Sequence, residues 1–196
     1  MLHGGHLGGL ELRREGGETR LSGSFPYNRE TVLWDGGRTG RPHKEVIAAR
    51  AFSRRLTDPE AEVHFLVGHD FDRPLASRKA GTLTIRETDQ ALAFEARIAA
   101  DLAGVTWVSD LLASARAGLI VGLSPGFRVA PEEDAEMIED RGDDILRTVR
   151  AADLFEVSAV TRPAYPEAQI EARSWRADAN EKFSFASTHP LKRWRL

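Results

Sequence analysis

Residues 117–129, AGLIVGLSPGFRV, constrain this chain more than any other stretch. Leu119, Val121 and Leu123 fall on one side of an extended chain, and Ile120, Gly122 and Ser124 fall on the other. That pattern predicts a buried strand with one serine in it. Gly122 and Gly126 flank Ser124 at two residues on either side, on its own face. Glycine weakens a strand, so two of them call for a reason, and close approach of another backbone is one. The geometry suggested is a hydroxyl on the floor of a groove that no side chains fence. The plainer alternative is a strand ending in a Pro-Gly turn, with an unremarkable serine.

Two further stretches bear on that choice. Val63–Asp70, VHFLVGHD, delivers His69 at the end of an apolar run. Asp153–Thr161, DLFEVSAVT, sets Glu156 inside an otherwise apolar strand. A hydroxyl is a weak nucleophile until a base takes its proton, and the base needs a third group to hold its tautomer. His69, Ser124 and Glu156 supply those parts. Their chain order differs from the familiar hydrolase orders, but such sets are defined by roles and geometry. Asp153 is the rival acid; simple alternation puts it on the other face from Glu156. His64 has the opposite parity to His69 and is expected to face away from it.

The chain has 196 residues, 41% of them hydrophobic. One domain with a real core is expected, since a chain of this length buries roughly 70% of its unfolded surface. The net charge of −3 gives no basic excess for nucleic acid. Cysteine is absent, which excludes disulfides and thiolate metal sites. The first residues, MLHGGHLGGLELRREGG, do not read as a secretory signal. No apolar run approaches the ~20 residues that span a bilayer, so no membrane contact is expected. No cofactor or metal is called for: His3 and His6 sit among glycines at a loose terminus, and the acids of 131–144 lack calcium-loop spacing.

Taken in order, residues 1–18 read as a loose segment with a first strand, residues 19–170 as the main domain and residues 171–196 as a polar, mildly basic tail. Gly9–Arg14 and Thr19–Phe25 form a hairpin around Gly16-Gly17. Residues 28–41 read as a loop, His43–Ala48 as a strand and Arg50–Leu56 as a short helix. Asp70–Arg78 reads as a polar loop, and Lys79–Arg86 with Ala91–Ile98 as a strand pair. Leu102–Ala117 is the clearest helix, closed by Gly118. The acidic run 131–144 reads as a solvated loop. Ile145–Thr161 reads as one strand, or two broken near Ala151-Ala152. Arg162-Pro163 and Pro166 end the sheet. Many strands and few helices predict a mainly β fold, a closed or nearly closed barrel ringed by α-helices.

Three stretches in this order, VGHD (67–70), GLSPGF (122–127) and LFEVSAVTRPAYPEA (154–168), resemble the signature blocks of the HK97-type prohead maturation serine proteases of tailed phages. SARAGL before the second block and EVIAARAF (45–52) fit the same pattern. The resemblance covers roughly residues 20–170, and similar proteases occur in phage-derived gene transfer agents. It implies a herpesvirus capsid protease-like fold, with Ser124 as nucleophile, His69 as general base and Glu156 orienting His69. It implies a serine endopeptidase working inside the immature capsid, in the cytoplasm of a bacterial host. The substrates implied are scaffold-like segments, the N-terminal arm of the major capsid protein and the enzyme itself; the enzyme could be a homo-oligomer.

One position departs from the pattern. Many serine hydrolases take an oxyanion donor from the residue after the serine, and here that residue is Pro125, which has no N–H. The Gly126 N–H, Arg128 and Arg162 are the candidate donors. Pro125 also keeps open a different class of function, a catalytically inactive relative acting as a structural or scaffolding module inside the capsid. A β-barrel binding module unconnected with capsids would leave His69, Ser124 and Glu156 far apart.

Overall fold

The computed structural model describes residues 10–15, 18–120 and 122–161. In chain order the first elements are β1 (Leu10–Glu15), β2 (Glu18–Pro26), β3 (Thr31–Trp34), β4 (His43–Ile47), α1 (Ser53–Thr57), β5 (His64–Val67) and β6 (Asp70–Ser77). They are followed by β7 (Leu83–Glu87), β8 (Ala91–Ile98), a 3-10 turn at Ala100–Gly104, α2 (Thr106–Arg116), β9 (Gly122–Val129), β10 (Glu136–Asp140), β11 (Ile145–Val149) and β12 (Ala152–Val160).

The strands with a clean apolar period form where their pattern puts them. In β8 the side chains of Leu92, Phe94, Ala96 and Ile98 are buried, and those between them are more open. Helix α2 buries Val108, Leu111 and Leu112. It stops at Gly118, whose φ of 71° suits glycine. The Leu119 N–H reaches the Ser114 carbonyl at 2.9 Å, and the Gly118 N–H reaches that of Ala115 at 3.1 Å, closing the end as a Schellman motif. The expected hairpin also forms, with Glu15 opposite Glu18 in the β1–β2 register; Gly16-Gly17 lies outside the described residues, as do Arg162 and the tail 171–196.

The strands assemble into three four-stranded sheets, ordered β1-β2-β8-β7, β10-β11-β4-β3 and β6-β5-β12-β9. Two pairings are parallel, β11 with β4 and β12 with β5. The architecture is mainly β, as expected. A closed or nearly closed barrel ringed by helices is not found among the described residues. The reason is visible in the end strands, which are made unattractive for further pairing instead of being joined. Strand β6 carries Pro74 and two register shifts against β5. Strand β10 is five residues long and carries Glu136, Glu139 and Asp140.

Strands β3, β6 and β10 correct three loop expectations, at 28–41, 70–78 and 131–144. Much of the acidic run is tied into the fold by ion pairs: Asp140 with Arg41, Asp144 with Lys44, Glu136 with Arg147 and Glu132 with Arg54.

One apolar cluster joins the first and third sheets. Phe65 of β5 meets Phe94 of β8 with ring centroids 4.9 Å apart, and Phe52 meets Phe127 of β9 at 5.5 Å. Burying an aromatic side chain of this kind stabilises by roughly 1.5–3 kcal/mol. This core clamps β5, β9 and β12 from one side and leaves their other face for polar groups.

Candidate active site

Strand β12 runs between β5 and β9 and sets the geometry. Glu156 lies opposite His64 of β5 and Gly126 of β9, while Ser158 lies opposite Leu66 and Ser124. Directly opposed residues share a face. Ser124, Gly126, Glu156 and Ser158 therefore line one side of the sheet. The alternate residues Leu123, Val157, Ala159 and Phe65 belong to the core.

A bulge makes this possible. Leu154 opposes Phe127 and Glu156 opposes Gly126, so Phe155 is the extra residue. The bulge lets Leu154 remain in the core although it has the same parity as Glu156. It also undoes the parity argument against Asp153, which opposes Arg128 and so falls on the Glu156 face. What separates the two acids is their partners. Asp153 lies 3.8 Å from Arg54, and Glu156 takes the imidazole.

His69 does not extend a strand. It is the second residue of the two-residue turn between β5 and β6, with φ of 60° at Gly68 and 64° at His69. Two successive left-handed residues make a type I′ hairpin turn, and histidine tolerates that region better than most residues. Alternation does not carry through such a turn. The turn swings the imidazole over the sheet face that holds Glu156, the face on which His64 also lies by register, so the expected opposition of the two histidines does not hold. The His64 ring packs edge-on against Phe71, 5.9 Å away.

The His69 Nδ1 lies 2.6 Å from Glu156 Oε1. Glu156 is 1% exposed, and its other oxygen accepts the Ser158 hydroxyl at 2.6 Å. The Ser158 Oγ in turn accepts the His69 backbone N–H at 2.9 Å. An ionised carboxylate can only accept hydrogen bonds. Facing an ionised Glu156, Nδ1 would carry the ring proton and Nε2 the lone pair. That is the tautomer a general base needs.

Gly126 has a local reason to be glycine. A Cβ built there would collide with the Glu156 carboxylate. The space expected for an approaching backbone is taken by the acid's own head group. Ser124 is 0% exposed, and its Oγ has no hydrogen-bond partner among the described residues. The Ser124 hydroxyl is thus not hydrogen-bonded to His69, although Ser158 binds the backbone of one and lies opposite the other.

The Arg128 guanidinium sits over the Phe155 ring, 5.3 Å from its centroid, with Arg55 also over that ring at 4.2 Å. Four strand residues from Ser124, about 13 Å of chain, Arg128 is occupied at the far end of β9. Arg162 lies outside the described residues. Ser158 was not singled out from sequence. Its signal was there, a second polar residue two positions after Glu156 in the same apolar run.

Among the described residues no helix is long and apolar enough to cross a membrane. No curated protein and no solved structure matches this chain. A family model described as caudovirus prohead serine protease matches residues 11–183. That span is most of the sequence and includes His69, Ser124 and Glu156, so the chain belongs to the caudovirus prohead serine protease family.

Proposed function

We propose that the chain is a serine endopeptidase of capsid maturation in which Ser124 attacks, His69 is the base and Glu156 holds His69. The observation that carries this reading is the 2.6 Å His69 Nδ1–Glu156 contact on the sheet face that Ser124 shares. In the reaction Nε2 takes the Ser124 proton as Oγ bonds to the scissile carbonyl carbon. The imidazolium, held by the Glu156 charge, then gives that proton to the leaving amine. Water enters with the same base and releases the acid product. Pro125 supplies no oxyanion donor. The Gly126 N–H and Arg162 are the remaining candidates for that role, since removing one donor typically costs ~10²–10³ in rate.

The proposed substrates are scaffold-like segments and the N-terminal arm of the major capsid protein inside the immature capsid, together with the enzyme's own tail. A homo-oligomer is compatible with this reading. A second reading, a catalytically inactive structural module, is favoured by the surroundings of the serine: Ser124 is buried, its hydroxyl has no hydrogen-bond partner among the described residues, and the following residue is proline. Co-expression with the capsid protein of the same particle, with and without Ser124→Ala, separates the two. The expected outcome is defined fragments that vanish in Ser124→Ala. Capsid protein of full intact mass in both cultures supports the inactive module.

A further inference from the structure

We infer that Ser158 is a positioning residue of the catalytic site, a single buried hydroxyl that fixes both the base and the acid. This rests on the Ser124–His69–Glu156 reading and adds a fourth residue to it. The Ser158 Oγ is 0% exposed and makes two hydrogen bonds, donating to Glu156 Oε2 at 2.6 Å and accepting from the His69 N–H at 2.9 Å. Its Cα is directly opposite that of Ser124. One side chain therefore joins the backbone of the base, the head group of the acid and the strand position facing the nucleophile.

Each bond has its own effect. A carboxylate held by a donor at only one oxygen can rotate about its last bond. With Ser158 at Oε2 and His69 at Oε1, the plane is set and Oε1 stays aimed at Nδ1. The second bond acts on the turn. His69 sits at a φ of 64°, a region unfavourable to an L-residue, and its N–H is held by a hydroxyl belonging to the central strand. The adjacent Gly68 N–H bonds the Ala159 carbonyl at 3.1 Å, so the turn is fastened to β12 at two successive residues.

Serine fits this role because its hydroxyl donates and accepts at once. Alanine removes both bonds and leaves a buried carboxylate oxygen without its donor. Threonine keeps the hydroxyl and suits a strand.

The test has two arms. In the first, cleavage of a capsid-arm peptide is timed. Ser158→Ala lowers kcat by about 10- to 100-fold with KM unchanged, because substrate contacts remain while the base drifts. Ser158→Thr restores most of it. In the second, the His69 Nδ1 proton is followed by NMR in the Ser124→Ala chain, where no turnover occurs. The resonance is identified by its loss in His69→Gln. It stands far downfield when hydrogen-bonded to the carboxylate. Adding Ser158→Ala broadens it or moves it upfield, and Ser158→Thr returns it. An unchanged Nδ1 resonance in folded Ser158→Ala overturns the inference. So does a kcat loss that follows only the unfolded fraction. Failure of the underlying reading looks different: Ser124→Ala or His69→Ala would still cleave.

Discussion

Among the described residues two glutamates are buried, on different sheets, and their partners give them different work. Glu156 of β12 is 1% exposed and faces an imidazole and a hydroxyl. Glu45 of β4 is 0% exposed and faces Arg147, its direct register partner on β11, with Nη1 to Oε2 at 3.0 Å. Arg147 also reaches Glu136 of β10 at 2.8 Å, so one guanidinium ties three strands. A guanidinium cannot give up its proton in a protein, so Arg147 anchors Glu45 and cannot serve as a base. The Glu156 pair ends in a nitrogen that can gain a proton. Burial of an acid alone does not mark a catalytic site; the partner's capacity to titrate does.

The largest expected effects test the catalytic side of this contrast. Ser124→Ala and His69→Ala should each lower turnover by about 10⁶-fold, and the double variant should be little worse than either, because the parts act as a unit. Independent, multiplicative losses measured by peptide cleavage would sink the assignment. Glu156→Gln should cost less, about 10⁴-fold, with the fold retained. Glu45→Ala should do the reverse. It takes from a buried guanidinium its buried carboxylate, and should destabilise by about 3–5 kcal/mol in urea while activity per folded molecule stays near that of the parent. If Glu45→Ala abolished cleavage in fully folded protein, the two glutamates would not differ as argued.

A smaller effect is expected at Gly126, on the boundary between structure and chemistry. Gly126→Ala places a methyl where the Glu156 head group now sits. The carboxylate must swing away, and Oε1 leaves Nδ1. The rate should fall by about 10²-fold, as for other misplacements of roughly 1 Å. A crystal structure of Gly126→Ala should show the His69–Glu156 contact broken. An intact contact with unchanged rate would mean that the strand yields instead of the acid.

How much of this was legible in the sequence follows from what is local and what is not. The buried face of β8, helix α2 and its stop at Gly118 are local patterns, and they stand where periodicity puts them. Strands β6 and β10 escape a periodicity reading because end strands need not alternate; β6 exposes Phe71, Asp72, Arg73 and Pro74 in a row. Strand β3 does alternate, but four residues are too short a run to stand out from a loop rich in Gly and Arg. The three polar residues of the site were visible as exceptions within apolar runs. Their relations were not. The bulge at Phe155, the turn at His69 and the opposition of Ser158 to Ser124 are set by pairing between distant strands, and alternation within one strand cannot supply them. That is why Asp153 was set aside for a reason the register removes, and why Gly126 was assigned to an approaching backbone instead of a side chain.

The smallest expected effect is the response to acid of the sheet that carries Glu45. His43 begins β4, two residues before Glu45, buried and edge-on to Trp34 with ring centroids 5.1 Å apart. Desolvation, followed by the nearby Arg41 charge, holds its imidazole below the ordinary histidine range. The unfolded chain therefore takes up a proton at this position at a higher pH than the folded one does. Stability from His43 is present in full above about pH 6.5 and is lost as the pH falls from there through the folded value. Melting curves of the Ser124→Ala chain at pH 7.5 and 5.5, with and without His43→Gln, isolate the contribution. Less loss of Tm on acidification is expected in His43→Gln, with the melting point at pH 7.5 little changed. If both proteins lost the same amount, His43 would not be the source of the acid sensitivity.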